Sequence, residues 1–197
     1  MVAQRIRIIA GVLGGRLLEV PEEGTRPLAD RVRQALFAIL EPRLADARVL
    51  DLCAGSGAAG LEALSRGAQH VQFVEISRRA TEVIRRNVIS LGLDKHAEIQ
   101  TADALTALRA LAARPAPVNL IIADPPYDDL AVRHGILELV AANPSPLAAD
   151  GLLVLSGRRV KGGSAQGAPR GLRLVRALTY GETGIDLYER DAVEDVR

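Results

Sequence analysis

A single cysteine, Cys53, stands among 197 residues, so neither an internal disulfide nor a cysteine-built metal centre is available. No apolar run approaches the about 18 residues that would cross a bilayer, and no secretory leader opens the chain. A soluble, cytoplasmic protein without a membrane partner is expected. The three histidines, His70, His96 and His134, share no metal-ligand spacing, and no metal is expected. There is no internal repeat. Neither sign of charge dominates, the formal net charge being +1, so only local clustering of charge can point to a partner. What is present is an ordinary globular composition, 48% hydrophobic, on a chain long enough to bury a sizeable core, which excludes wholesale disorder.

The stretch that organises the rest is Arg48-Val-Leu-Asp-Leu-Cys-Ala-Gly-Ser-Gly-Ala-Ala-Gly60. Val49, Leu50 and Leu52 read as a short buried parallel strand. Gly55, Ser56 and Gly57 allow a tight turn and close approach of a ligand to the backbone. Helical spacing follows at once, with Leu61 and Leu64 one turn apart and Gly67 placed to end the helix. Strand, glycine turn and helix form the unit that holds a nucleotide-like cofactor at the carboxyl end of an open α/β sheet.

Gly55 to Gly60 also fits the dinucleotide pattern GxGxxG, and Glu75 follows 18 residues after Gly57. Electrostatics favours a different ligand. Asp51, Glu75, Asp103 and Asp124 all fall near predicted strand ends. Carboxylates around one pocket repel a pyrophosphate, but they suit an ammonium, a sulfonium and a ribose diol, which together describe S-adenosylmethionine.

Later segments follow the same α/β alternation. Val71 to Glu75 reads as a second strand ending in an acid able to accept two hydrogen bonds from a ribose diol. Ser77 can cap the next helix, whose apolar stripe ends at Gly92; Asn87, on that stripe, reads as a satisfied polar contact. Ala97 to Thr101 is a third strand, and Asp103 after it can cap a helix, accept from an adenine amino group, or both. Val118 to Ala123 is a buried strand running into Asp124-Pro125-Pro126-Tyr127. The two prolines restrict the backbone, so Asp124 and the Pro125 carbonyl are held rigidly at the strand's end. Two aligned acceptors suit the hydrogens of a planar amine whose lone pair is delocalised into a base. They can favour pyramidalisation and aim the lone pair at a methyl group. Tyr127 offers a ring on which an extruded base can stack. Gly151 to Leu155 is a fifth strand, and residues 172–179 and 185–188 look like a closing antiparallel pair.

Positive charge clusters twice. Residues 5–20 look like two short strands joined near Gly14-Gly15, followed by a helix with Asp30 as its N-cap and a stripe of Val32, Leu36, Ile39 and Leu40. Arg26, Arg31 and Arg33 there form a nucleic-acid or substrate arm, or else a solvated face. Residues 156–176 carry Arg158, Arg159, Lys161, Arg170, Arg173 and Arg176 with no acid, in part as a mobile glycine-rich loop. That segment reads as a phosphate-backbone surface, a solvated loop being the bland alternative.

With both motifs in view, the chain resembles the bacterial small-subunit ribosomal RNA guanine-N2 methyltransferases of the DPPY type. The similarity covers Arg5 to Gly15, Arg26-Pro27 with Asp30 to Arg33, Leu36-Phe37, Asp51 to Arg66, Asp124 to Tyr127 and Tyr180 to Thr183. The resemblance implies a Rossmann-like class I methyltransferase sheet of seven mostly parallel strands with helices on both faces. Residues 1–44 would be an N-terminal hairpin and helix extension, and 45–197 the methyltransferase domain. It implies S-adenosylmethionine as donor and a guanine of ribosomal RNA, within the small subunit or its assembly intermediate, as acceptor. Asp51, Gly55 and Gly57 would line the methionine end of the cofactor, Glu75 its ribose and Asp103 its adenine, with Ala54, Ile76 and Ala104 also cofactor-binding. Asp124, Pro125 and Tyr127 would hold the guanine, and Arg26, Arg31, Arg33, Arg158, Arg159 and Lys161 the RNA.

Two departures stand out. Leu28-Ala29 replaces the threonine usual after Arg-Pro, and Ser156-Gly157 stands where an acid often follows the fifth strand. The rival readings are amine methylation of adenine or cytosine in DNA or other RNA, or of a protein glutamine. Further rivals are a non-catalytic RNA-binding ribosome-assembly factor and an NAD-dependent oxidoreductase.

Overall fold

The computed structural model describes residues 6–22, 28–113, 117–143, 145–159 and 168–191. The chain divides into two compact units, Met1–Ala104 and Leu105–Arg197.

The first unit is built on three parallel strands, β3 (Arg48–Leu52), β4 (His70–Glu75) and β5 (Ala97–Thr101), with Asp51 beside Phe73 and Glu75 beside Thr101. Two helices connect them, α2 (Ala58–Ser65) and α3 (Arg78–Ser90). β3 and β4 are buried almost throughout, as expected of strands covered on both sides. Helix α2 lies so close to β4 that a Cβ on Gly60 would stand 2.3 Å from the Phe73 ring. The third glycine of the motif is therefore a packing requirement.

Ahead of this lie the hairpin β1 (Ile6–Arg7) and β2 (Leu17–Leu18), then α1 (Asp30–Leu40). The hairpin forms as the sequence predicts, with Ile6 opposite Leu18 and the Gly15 N–H donating to the Ile8 carbonyl. The expected cap of α1 does not form. Ala29 occupies the N-cap position without a side-chain bond, and Asp30 is already helical. The Asp30 carboxylate turns instead to Arg33 at 3.0 Å and Arg7 at 3.4 Å, a charge pairing that outcompetes a neutral amide. Phe37, rather than the half-buried Ile39, completes the apolar stripe with Val32, Leu36 and Leu40.

The hairpin is fastened to α2 by a charge in the core. Glu62, 0% exposed, accepts from the amides of Ile9 at 2.7 Å and Ala10 at 3.1 Å. The same carboxylate pairs with Arg66 at 2.7 Å; Arg66 also reaches Glu41 and lies over the Phe37 ring, 5.5 Å from its centre. One turn further, the Ser65 hydroxyl donates to the Ala10 carbonyl and accepts from the Leu13 amide.

The second unit holds four strands, β6 (Val118–Ala123), β7 (Leu147–Arg158), β8 (Leu172–Tyr180) and β9 (Thr183–Arg190), with helices α4 (Ala104–Ala112), which begins at the division, and α5 (Leu130–Ala142). β6 and β7 run parallel; β7–β9 and β8–β9 are antiparallel, the last pair turning where the sequence places it. β7 starts earlier than expected, because Leu147 pairs with Val118 across a bulge before the apolar run begins. The seven strands of β3 to β9 are thus mostly parallel, as expected. The glycine-rich part of the basic loop, 160–167, lies outside the described residues. No helix among those described is long and apolar enough to cross a membrane.

Replacing Glu62 with alanine removes one partner of a buried pair and leaves two amides without an acceptor, so Glu62→Ala is expected to cost about 3 kcal/mol or more. Urea unfolding measures the loss, and hydrogen exchange at Ile9 and Ala10 should accelerate with it.

Candidate active site

In the first unit, three parallel strands deliver their carboxyl ends to one edge. β3 leads into the glycine turn, where Cys53 (φ 57°), Gly55 (φ 57°) and Gly57 (φ 77°) are all left-handed. Two carboxylates hold this turn in place. Asp51, only 2% exposed, accepts from the Gly60 amide at 2.9 Å and so fastens strand to helix. Glu75, at the end of β4, accepts from the Gly55 amide at 2.8 Å through Oε2 and from the Ser77 amide at 2.9 Å through Oε1. Each of its oxygens retains a lone pair, as a ribose diol would need. Ile76 beside it is 70% exposed, an apolar surface next to a polar one. Ala54 and Gly55 are half-buried and Gly57 is buried. Asp103 is half-buried at the end of β5, directly before buried Ala104 at the start of α4. The Ser77 hydroxyl caps α3, as predicted, accepting from the Ala80 amide.

Asn87 is the satisfied polar residue the sequence suggests, and more. Its side chain accepts from the Glu19 amide and donates to the carbonyls of Glu19 and, inside the glycine turn, Ser56. It couples the end of the hairpin to that turn.

In the second unit, Asp124 emerges at the carboxyl end of β6. The residues before it, Ile122 and Ala123, lie beside Val154 and Leu155 of β7, so Asp124 faces Ser156. The Ser156 hydroxyl donates to Asp124 Oδ1. Asp124 keeps some accessible surface, yet protein closely surrounds its carboxyl; that desolvation raises its pKa to about 6, with the Ser156 bond pulling the other way. Pro125 is buried and Pro126 exposed. Asp129 caps α5 through the Val132 amide. Tyr127 is half-buried, its hydroxyl sharing a 2.5 Å hydrogen bond with that of Thr183 at the start of β9.

Behind Ser156 sits a buried cation that sequence reasoning missed. Arg133 of α5 donates to the carbonyls of Leu155 and Ser156 and pairs with Asp186 of β9 at 2.8 Å. The Tyr188 hydroxyl also donates to Asp186. Arg133 interrupts an apolar helix, and Asp186 alternates with apolar neighbours; those are the only local signals of the pair.

The cations expected to meet RNA separate into distinct environments. Arg33 is corrected: it is 1% exposed, donating to the Arg7 carbonyl and Asp30, and a buried guanidinium so engaged offers no surface to a phosphate. Arg31 is exposed. Arg158 and Arg159 are exposed, Arg158 pairing with Asp128 at 3.0 Å. Arg26 and Lys161 lie outside the described residues.

The family described as Conserved hypothetical protein 95 matches residues 6–189. The chain belongs to that family. Ribosomal RNA small subunit methyltransferase D of Escherichia coli (strain K12) is 36% identical over 191 residues, 95% of this chain and 91% of that protein. Among solved structures, yhhF from Escherichia coli superposes with a TM-score of 0.81 at 32% identity, covering 95% of this chain and 98% of that one. A hypothetical protein of Thermus thermophilus gives 0.75 at 30% identity, over 93% and 99%. The family's fold, the class I methyltransferase fold, is the one seen here, with the small antiparallel hairpin at its N-terminus.

Glu75→Gln leaves only one carbonyl oxygen for two amides. Stability should fall by about 1–3 kcal/mol, the cost of an unsatisfied buried donor. Amide exchange at Gly55 or Ser77, followed by NMR, should quicken while exchange in β8 stays unchanged.

Proposed function

We propose that this protein methylates the exocyclic N2 amine of a guanine in small-subunit ribosomal RNA, using S-adenosylmethionine. The observation that carries this reading is Asp124, held by a proline-stiffened turn, with Oδ1 committed to Ser156 and Oδ2 bonded to no described residue. An oxygen so left over, beside the Pro125 carbonyl, is the acceptor pair that an amine requires. The choice of small-subunit RNA is supported by the similarity to Ribosomal RNA small subunit methyltransferase D of Escherichia coli, and the choice of guanine N2 by the resemblance in sequence.

The residues of the first unit fit the donor. Its carboxylates, Asp51, Glu75 and Asp103, stand at the ends of adjacent parallel strands, as suits a cationic ligand with a diol. Glu75 takes the ribose hydroxyls with its remaining lone pairs, Ile76 lies against the adenine ring and Asp103 accepts from its amino group. The turn at Ala54, Gly55 and Gly57 accommodates the methionine end, with Asp51 fixing the turn's shape and Ala104 closing the adenine side. When bound, the donor supplies an electrophilic methyl group on a sulfonium.

In the second unit, Tyr127 stacks on the guanine, its ring kept in place by Thr183. Asp124 Oδ2 and the Pro125 carbonyl each accept one amine hydrogen, which draws the lone pair out of conjugation. Nitrogen gives up one proton as it gains the methyl group, and Oδ2 is placed to hold that hydrogen until water takes it. A carboxyl with a pKa of about 6 is ionised at neutral pH, so it accepts without prior deprotonation. Residues 1–44 serve as the RNA-positioning arm of a methyl-transfer domain spanning 45–197, with Arg26, Arg31, Arg158, Arg159 and Lys161 contacting phosphates. The setting is the bacterial cytoplasm.

Asp124→Ala should leave donor affinity unchanged by calorimetry while transfer to deproteinised small-subunit RNA and to assembled subunits falls by about 100-fold or more. Mass mapping of the product should find N2-methylguanosine. Unaltered turnover, or a methyl group on another base, refutes the assignment.

A further inference from the structure

Asp124 has two oxygens, and only one can meet an amine in the geometry described. We propose that Ser156 is the positioning residue of this site, its hydroxyl fixing the rotation of the Asp124 carboxylate so that Oδ1 belongs to the protein and Oδ2 to the substrate. This rests on Asp124 being the amine acceptor.

The geometry restricts Ser156 to that one task. At 2% exposure the side chain has no solvent to turn towards. Parallel pairing of β6 with β7 sets positions 124 and 156 side by side on the same face. The backbone of Ser156 is fixed from behind, since Arg133 donates to its carbonyl and to that of Leu155. Arg133 is itself anchored by Asp186, which also accepts from Tyr188. The line from β9 through α5 and β7 to β6 therefore ends on a single carboxylate oxygen. A carboxylate free to rotate would offer its amine-facing oxygen only part of the time.

Ser156 also opposes the protonation that burial favours. The charged and titratable groups on the surrounding elements are otherwise occupied. Arg133 of α5 is held by Asp186 of β9 and Asp128 by Arg158 of β7, while the Tyr127 and Tyr188 hydroxyls bond Thr183 and Asp186. Burial and the Ser156 hydroxyl thus set the proton affinity of Asp124 between them. Loss of the hydroxyl removes the one contact among the described residues that lowers it, so the acid limb of activity must move to higher pH.

The test uses the full chain in three forms: wild type, Ser156→Ala and Ser156→Thr, the last retaining the hydroxyl. The Asp124 carboxyl is titrated by carbon-13 NMR, and transfer to small-subunit RNA is followed from pH 5 to 9. In Ser156→Ala the titration midpoint and the acid limb should both rise by about one pH unit, the worth of a hydrogen bond to a charged group. The plateau kcat should fall while the KM for the methyl donor holds; Ser156→Thr should restore the wild-type midpoint. A merely structural serine would lower the rate equally at every pH. An unmoved midpoint in Ser156→Ala overturns the inference whatever the activity. A midpoint that moves while the rate profile stays put overturns the amine assignment itself, and with it this role of Ser156.

Discussion

Everything at the carboxyl edge of the first unit's strands depends on carboxylates that bind backbone before they bind anything else. The glycine turn places three residues within five in the left-handed region, and one of them, Cys53, carries a side chain. Such a residue costs of order 1–3 kcal/mol unless its surroundings hold it there. The Asp51 bond to Gly60, which is buried, and the part-buried Glu75 bonds to Gly55 and Ser77 are charge-assisted, each contributing about 1.5–3 kcal/mol. They suffice to offset the strain. The shape of the turn is therefore determined by acids at the strand ends as much as by its glycines.

The local patterns carried the strands, the turn and most helices, because burial on both faces leaves continuous apolar runs and glycine leaves punctuation. Charges that act inside the fold were not legible. Glu62 meets partners 52 and 53 residues away, and Arg133 meets one 53 residues away; no window of sequence contains both ends. Arg33 shows the same difficulty from the other side. Among other arginines it resembles part of a cationic surface, and only the packing of α1 shows that it is interior. Asp30 failed as a cap for a partly related reason, since Arg7 reaches it from the hairpin, joined by Arg33 one turn along the same helix.

Some similarities that carry no chemistry in the sequence acquire one in three dimensions. The segment Leu61 to Arg66 supplies Glu62 and Ser65, which dock the N-terminal hairpin, and Arg66, which pairs with Glu62. The Tyr180 to Thr183 turn supplies the hydroxyl that orients Tyr127. Position 156 faces Asp124. An acid there would set a second negative charge against Asp124, whereas serine donates a hydrogen to it.

The docking of the hairpin has a consequence for biosynthesis. Ile9, Ala10 and Leu13 find their acceptors on Glu62 and Ser65, residues made more than fifty codons later. While the ribosome is still translating the glycine turn, the first strands have nothing to dock on, and a two-stranded ribbon alone is at best marginally stable in water. The hairpin must wait for helix α2 before it settles, so this part of the chain does not fold in its order of synthesis.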